Sequence, residues 1–362
     1  PAFSDTECSI TFRQVYDIAR NTGAYLIEQL GVDRSPVAVF AGRKMVTPAY
    51  FLGVVYAGRP YAPIDASLPD KRIEKILENL CPRAIVADRE SLEHVESIVD
   101  ELAKAEGFYR PQIFIAEDIS RFEQVACADS NCKISESAGD AVMDSENDTD
   151  GGVVAGCAGK TDDSSLEKLT AVRRQMSMTD PLYIIYTSGS TGNPKGVMTS
   201  HLSLMTYINA YCEVMHVEGD DVLGNQSPLD YIAAIRDIYL PLKTGCSTAI
   251  IPKEYFMEPN ALFDYMNDKK VSSVGWSVSA FTILTSLGAF EEVGLKSLRK
   301  ICFSGSVMPC RVLRKWQENL PEAHFVNQYG PTEATASCTY YSVDHLVEED
   351  EVLPIGKAYD NY

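Results

Sequence analysis

The stretch Tyr186-Thr-Ser-Gly-Ser-Thr-Gly-Asn-Pro-Lys-Gly196 carries the residue types best suited to chemistry. All six residues from 187 to 192 are glycine or bear a hydroxyl. Glycine lets backbone approach a ligand closely and leaves successive N–H groups free to point at it, which suits a polyphosphate. Thr187, Ser188, Ser190 and Thr191 add hydroxyl donors around Gly189 and Gly192, and Lys195 adds a positive charge. The spacing differs from three familiar loops. A Walker A loop requires a second glycine five residues after the first, followed by lysine, but Pro194 stands five residues after Gly189. A GxGxxG dinucleotide fingerprint is absent. A nucleophile elbow needs glycine two residues before its serine, where Ser188 precedes Ser190. A second polar cluster, Asn327-Gln-Tyr-Gly-Pro-Thr-Glu333, offers an acid, a hydroxyl and a ring. Taken alone, Glu333 also reads as a helix N-terminal acid and Tyr329 as a core residue.

Such residues need a scaffold, and the hydrophobic pattern supplies one. Helical periodicity runs over 11–30, with further helices expected over 48–57, 72–80 and 261–269. Short apolar strands are expected at 37–40, 84–87, 182–186, 248–251 and 300–303. Strands alternating with helices imply an α/β fold with parallel sheets covered on both faces. The glycine-rich loop directly follows the strand at 182–186, which argues against a surface linker.

Composition narrows the function. The 362 residues carry 51 acidic and 32 basic side chains, for a net charge of −19. Nucleic-acid or anionic-membrane binding needs a basic face, so neither is expected as a partner. The 45% hydrophobic content is that of a globular protein. No apolar run approaches the roughly 20 residues of a membrane span. The ten cysteines form no CxxC pair and read as single core residues, so a reducing cytoplasm is expected. Residues 127–163 hold nine acidic residues against two lysines, a local charge of −7. Neither frame of Asp144-Ser-Glu-Asn-Asp-Thr-Asp-Gly-Gly152 satisfies an EF-hand, so this segment is expected to be a solvated, disordered insertion.

The motif TSGSTGNPKG resembles the signature of the adenylate-forming superfamily, which includes acyl-CoA synthetases, luciferases and the adenylation domains of nonribosomal peptide synthetases. Val54-Val-Tyr-Ala-Gly-Arg-Pro-Tyr-Ala-Pro-Ile-Asp65 and Asn327-Gln-Tyr-Gly-Pro-Thr-Glu333 resemble motifs of the peptide-synthetase branch, and Pro354-Ile-Gly356 resembles the start of the next conserved region. The resemblance implies two doubly wound sheet subdomains over 1–126 and 164–330, then the start of a distorted β-barrel in 331–362. It implies ATP and Mg²⁺ as cofactors, a carboxylic acid as substrate, and acyl-AMP and pyrophosphate as products. The acyl acceptor would be the phosphopantetheine thiol of a carrier protein domain.

Carried onto this sequence, the resemblance gives catalytic roles to Thr187, Lys195, Thr332 and Glu333. The loop from Thr187 to Gly192 with Lys195 would hold the phosphates, and Glu333 would ligate the metal. Thr332 would contact the α-phosphate. Gly305, Ser306, Asn327, Gln328, Tyr329 and Gly330 would line the adenine slot, although Ser306 stands where the family often has an acid.

The acyl pocket follows from the segment Ser227-Pro-Leu-Asp-Tyr-Ile-Ala-Ala-Ile-Arg236. In the ungapped register, Tyr231 and Ile232 fall on the Phe and Asp of the family's "FDxS" segment, whose Asp pairs with a substrate ammonium. Asp230 takes that place only through a two-residue insertion. Ile232 cannot offset the desolvation of a buried ammonium, so a substrate without a free α-amino group is expected. The other pocket positions are Ala233, Arg236, Gly275, Trp276, Cys302, Ser304, Gln328, Ala336 and Ser337. Arg236 has two readings: a contact to an anionic substrate, or an ion pair with a neighbouring acid. The family's C-terminal subdomain, with its catalytic lysine, has no counterpart before Tyr362, so poor adenylation by this stretch alone is expected. The alternatives are a stand-alone acyl- or aryl-CoA ligase and a non-catalytic nucleotide-binding scaffold.

Overall fold

The computed structural model describes residues 1–121, 163–188 and 192–362. The acidic segment lies almost wholly outside them, as do Gly189, Ser190 and Thr191. The chain opens with β1 (Phe3–Ser4), β2 (Ser9–Ile10), α1 (Phe12–Leu30), β3 (Val37–Phe40), α2 (Thr47–Tyr56) and β4 (Tyr61–Ile64). Next come α3 (Asp70–Leu80), β5 (Ala84–Ala87), α4 (Arg89–Leu102), β6 (Gln112–Ile115), α5 (Ala116–Ser120), α6 (Asp163–Gln175), β7 (Pro181–Ser188) and β8 (Pro194–Ser200). The second half contains α7 (His201–Met215), β9 (Val222–Asn225), α8 (Ala234–Thr244), β10 (Ser247–Ile250), α9 (Pro259–Asp268), β11 (Ser273–Ser277) and α10 (Val278–Ser286). It continues through β12 (Lys300–Ser304), α11 (Cys310–Asn319), β13 (His324–Tyr329), a 3₁₀ turn at Thr332–Ala334, β14 (Thr339–Val343) and β15 (Lys357–Ala358).

These strands form two sheets. One has the order β6-β5-β3-β4-β7-β8 and is parallel except for β8, which returns antiparallel to β7. The other has the order β15-β14-β13-β12-β11-β9-β10-β1-β2, with a parallel centre and antiparallel edges. Residues 331–362, where a barrel is expected to start, place β14 and β15 on this sheet's edge. No closed barrel forms among the described residues.

Local sequence explains the main helix of the shared layer. Thr11 caps α1: its hydroxyl accepts from the Gln14 N–H, and the Gln14 side chain accepts from the Thr11 N–H at 2.9 Å. Val15, Ile18, Ala19, Leu26 and Leu30 form its buried stripe. The largest core joins α1, α2, α7 and α8 to the inner faces of both sheets. Two smaller cores cover the outer faces, one under α3 and α4 and the other under α9, α10 and α11. The two sheets therefore sandwich a common helical layer. No helix among the described residues is long and apolar enough to cross a membrane.

Candidate functional site

The described ends of the glycine-rich sequence lie on β7 and β8, which pair antiparallel. Thr187 pairs with Lys195 and Ser188 with Pro194. Two contacts anchor these ends to α3: the Tyr186 hydroxyl donates to Asn79 at 2.8 Å, and Lys75 donates to Asn193 at 3.1 Å. Gly192 adopts φ +77°, a conformation that favours glycine. Lys195 is exposed, and its ammonium makes no hydrogen bond or ion pair among the described residues.

The Asn327–Glu333 motif runs off the carboxyl end of β13 and lies against β8, with Cα atoms within 8 Å. The carboxyl ends of parallel strands are where open α/β sheets bind ligands. The loop is tightly made. The Cys338 N–H closes it by donating to the Tyr329 carbonyl at 2.9 Å. Thr335 and Ala336 both have positive φ, 54° and 71°. A Cβ on Gly330 would overlap the Ser337 Cα and approach the Cys338 nitrogen to 2.8 Å. Glu333 is exposed, and its carboxylate has no partner among the described residues. Tyr329 presents its ring to solvent, 51% exposed. Thr332 is half-buried beside it. Asn327 already donates one amide N–H to the Pro354 carbonyl at 2.8 Å, which leaves its second N–H and its oxygen for an adenine edge. Gly305 follows β12 with φ +95° and open space beside it, and Ser306 is exposed.

The expected acyl-pocket residues separate into two groups. Ile232 (5% exposed), Cys302 and Ala336 share the largest core. Gly275 pairs with Cys302 across β11 and β12, and Ser304 lies two residues further on the same face. Gln328 is buried, and its oxygen accepts from Cys302 Sγ at 3.2 Å and Ser337 Oγ at 3.4 Å. Arg236 lies among these residues, at the position that a Cβ on Gly275 would occupy. Trp276 does not join them. Strand alternation turns it to the opposite face, where its indole donates to the Gly224 carbonyl at 2.8 Å and packs on Phe256 and Phe281. Tyr231 is exposed, and Ala233 ends half-buried at the start of α8.

Asp230 lines a different space, a cavity of about 670 Å³ between the sheets that also contains Asp65, Arg43 and Lys253. Burial, then the Asp65 charge, push the Asp230 carboxyl upward.

Arg236 adopts the ion-pair arrangement. Its Nε lies 3.5 Å from Asp237 Oδ1, and its guanidinium sits 5.9 Å from the Tyr211 ring centre. Burial pulls the Arg236 pKa down, but the Asp237 charge together with Tyr211, Cys302 and Tyr207 outweighs it, and the net direction is up. Burial pushes Asp237 up to about 6 against the opposing pull of Arg236. Tyr207 and Tyr211 from α7, with Tyr359, complete this cluster. Sequence reasoning missed these three. The only signal was the four-residue spacing of Tyr207 and Tyr211, which reads as a helix core face.

Two α/β sheets around a shared helical layer, with free polar groups gathered where β8 meets the end of β13, define an open-sheet α/β enzyme core. A family model described as AMP-binding enzyme matches residues 1–362, and the chain belongs to that family, within the adenylate-forming superfamily. It is 28% identical over 357 residues to a D-alanine–D-alanyl carrier protein ligase of Bacillus licheniformis, covering 98% of this chain and 60% of that protein. The corresponding Bacillus velezensis ligase is 26% identical over 361 residues, covering 99% and 61%. The chain thus spans about three-fifths of the length of these relatives. In fold it is similar to the nonribosomal peptide synthetase FmoA3 bound to α-methyl-L-serine-AMP, with TM-score 0.75, 19% identity and coverage of 99% and 34%. It is also similar to the Klebsiella oxytoca NpsA N-terminal subdomain in complex with 3-hydroxyanthranilyl-AMSN, with TM-score 0.71, 17% identity and coverage of 99% and 76%.

Proposed function

We propose that this protein activates a carboxylic acid with ATP as acyl-AMP, releasing pyrophosphate, and passes the acyl group to the phosphopantetheine thiol of a carrier protein. The observation that carries this reading is the pairing of two unneutralised charges. Lys195 on β8 and Glu333 on the adjoining turn face solvent from neighbouring elements, and neither is ion-paired among the described residues. A carboxylate and a triphosphate repel one another, so the site must supply cations and N–H or O–H donors rather than a nucleophile. Thr187, Ser188, Gly189, Ser190, Thr191, Gly192 and Lys195 suit the phosphates. Tyr329 suits stacking on adenine, beside Gly305, Ser306 and the Asn327 oxygen. Glu333 is a hard oxygen ligand, able to share Mg²⁺ with phosphate oxygens and water. Bound Mg²⁺ would neutralise phosphate charge. The relatives' names support a carrier protein as acceptor, in preference to CoA.

The acid itself is read from the pocket. The D-alanine named for the relatives carries an amino group, but Ile232 offers it no counter-charge. Asp230, the other candidate, faces the separate cavity. We therefore assign a substrate without a free α-amino group. Pyrophosphate exchange by the full-length protein, across acids with and without that group, tests the assignment. Exchange is expected with the deaminated acids, and exchange confined to α-amino acids would overturn the register that places Ile232 in the pocket.

Lys195→Met provides a second test. It should lower exchange about 100-fold, as loss of one preorganised charge donor does. Thermal stability should barely change, because the ammonium holds nothing in the fold. An unchanged exchange rate would remove Lys195 from the phosphate site.

A further inference from the structure

We propose that the inner end of the acyl pocket binds a second, distal carboxylate of the substrate, so that the acid activated is a dicarboxylic acid. This rests on the activation reading above and names its substrate class.

The argument begins with buried polar atoms that lack partners. Arg236 and Gln328 are each 2% exposed, as is Tyr359. Arg236 Nε, Gln328 Nε2 and the Tyr359 hydroxyl have no hydrogen-bond partner among the described residues. Tyr207 is fully buried, and its hydroxyl lies beside the guanidinium without a hydrogen bond of normal geometry. Native proteins rarely leave buried donors unpaired, and several in one place mark a missing acceptor. These groups come from α7, α8, β13 and the segment after β15, so no single element's geometry explains them.

Their chemistry identifies the acceptor. The Gln328 oxygen is occupied by Cys302 and Ser337, so the amide offers its NH₂. Arg236 Nε is also a donor, and the two tyrosines can donate. Asp237 is the only carboxylate in contact with Arg236 among the described residues, and its Oδ1 sits beyond hydrogen-bond reach at 3.5 Å. Its Oδ2 accepts at 2.8 Å from Asn225, which itself accepts from Arg43 at 2.8 Å. Asp237 therefore faces Arg236 and, through Asn225, the Arg43 guanidinium, which the Glu254 charge also faces. A distal carboxylate supplies about four lone-pair sites in a plane, matching these four donors, and it suits a guanidinium partner. A single hydroxyl or ketone oxygen offers only about two lone pairs and would leave donors unsatisfied. Because Arg236 fills the space freed by Gly275, the chain between the two carboxyl groups must be short.

The test uses the full-length protein and matched acids: succinate against butyrate, and glutarate against pentanoate. Exchange kcat/KM should favour each dicarboxylate by roughly 10²- to 10³-fold, since a site built for hydrogen bonding rejects analogues that lack the group. Arg236→Met should bring that ratio close to one, mainly through KM, and Gln328→Glu should invert it. Calorimetric binding of succinate, weakened in Arg236→Met, provides a readout independent of turnover. Wild-type ratios near one would overturn the proposal whether or not the variants fold, and would indicate that ordered water satisfies the donors. Absence of both Mg·ATP binding and exchange with any acid would instead overturn the activation reading.

Discussion

Replacing Gly330 with alanine should reduce pyrophosphate exchange by about three orders of magnitude while the rest of the protein stays folded. The new methyl would overlap the Ser337 Cα, with the Cys338 nitrogen at 2.8 Å and the Ala336 oxygen at 2.9 Å. All three are backbone atoms, so no side chain can swing aside. The loop has little slack to absorb the change. Thr335 and Ala336 already hold left-handed conformations, which L-residues adopt at a cost. The return strand is fixed by the bond from Cys338 to Tyr329 and by the ladder of β13 with β14. The strain must therefore open the turn that carries Tyr329, Thr332 and Glu333. A displacement of about 1 Å costs roughly 100-fold in a positioned reaction, and here several groups move together. Exchange kinetics and thermal melting of the variant check this. Near wild-type exchange would mean that the loop does not position catalytic groups. A drop in melting temperature large enough to unfold the protein would mean that Gly330 is needed for folding instead.

Parts of this site are legible in the sequence for clear reasons. The glycine-rich residues stand out because six small or hydroxylated residues in a row cannot form core and directly follow an apolar strand. Helix α1 is legible because its apolar residues repeat at helical spacing from 11 to 30. Strand β4 is harder to find, since Pro63 argues against an internal strand. The structure accommodates it because β7 pairs with β4 only at Tyr61, so no ladder bond is needed at the proline on that side. Residues of the pocket wall were harder still. Gly275 and Trp276 are adjacent in sequence, yet the period of two sends them to opposite faces. Tyr207, Tyr211 and Tyr359 are ordinary aromatic residues until the fold places them around Arg236. The availability of Asn327 depends on Pro354, 27 residues away, which no local pattern reveals.

Asp221→Asn should destabilise the protein by about 3–5 kcal/mol, the usual cost of stranding a buried charge by removing its partner. Asp221 is fully buried just before β9. It accepts from Lys300 Nζ at 2.6 Å, Ser272 Oγ at 2.6 Å and Arg299 Nη2 at 2.9 Å. Ser272 in turn accepts from the Val222 N–H at 3.0 Å, so the carboxylate ties together the entries of β9, β11 and β12. Arg299 is half-exposed and adds little. Lys300 is the costly partner, because its ammonium would stay buried without a counter-charge. Burial raises the Asp221 pKa, but the Lys300 and Ser272 bonds outweigh it and hold the carboxyl below its ordinary 3.8. The sign of the pH dependence follows. A depressed folded-state pKa contributes stability that is complete above the unfolded value and is lost as pH falls through the folded one. The wild type should therefore lose stability below about pH 4, and Asp221→Asn should flatten that limb. Urea unfolding between pH 3 and 7 measures both effects. Adding Lys300→Met to Asp221→Asn should recover part of the loss at pH 7, since the stranded ammonium is then gone. If the double variant is no more stable than the single one, the cost lies in the lost Ser272 bond and the strand entries rather than in the buried charge. Because β11 and β12 carry Gly275, Cys302 and Ser304 from this same end, the pair would hold the floor of the proposed acyl pocket in register without touching substrate.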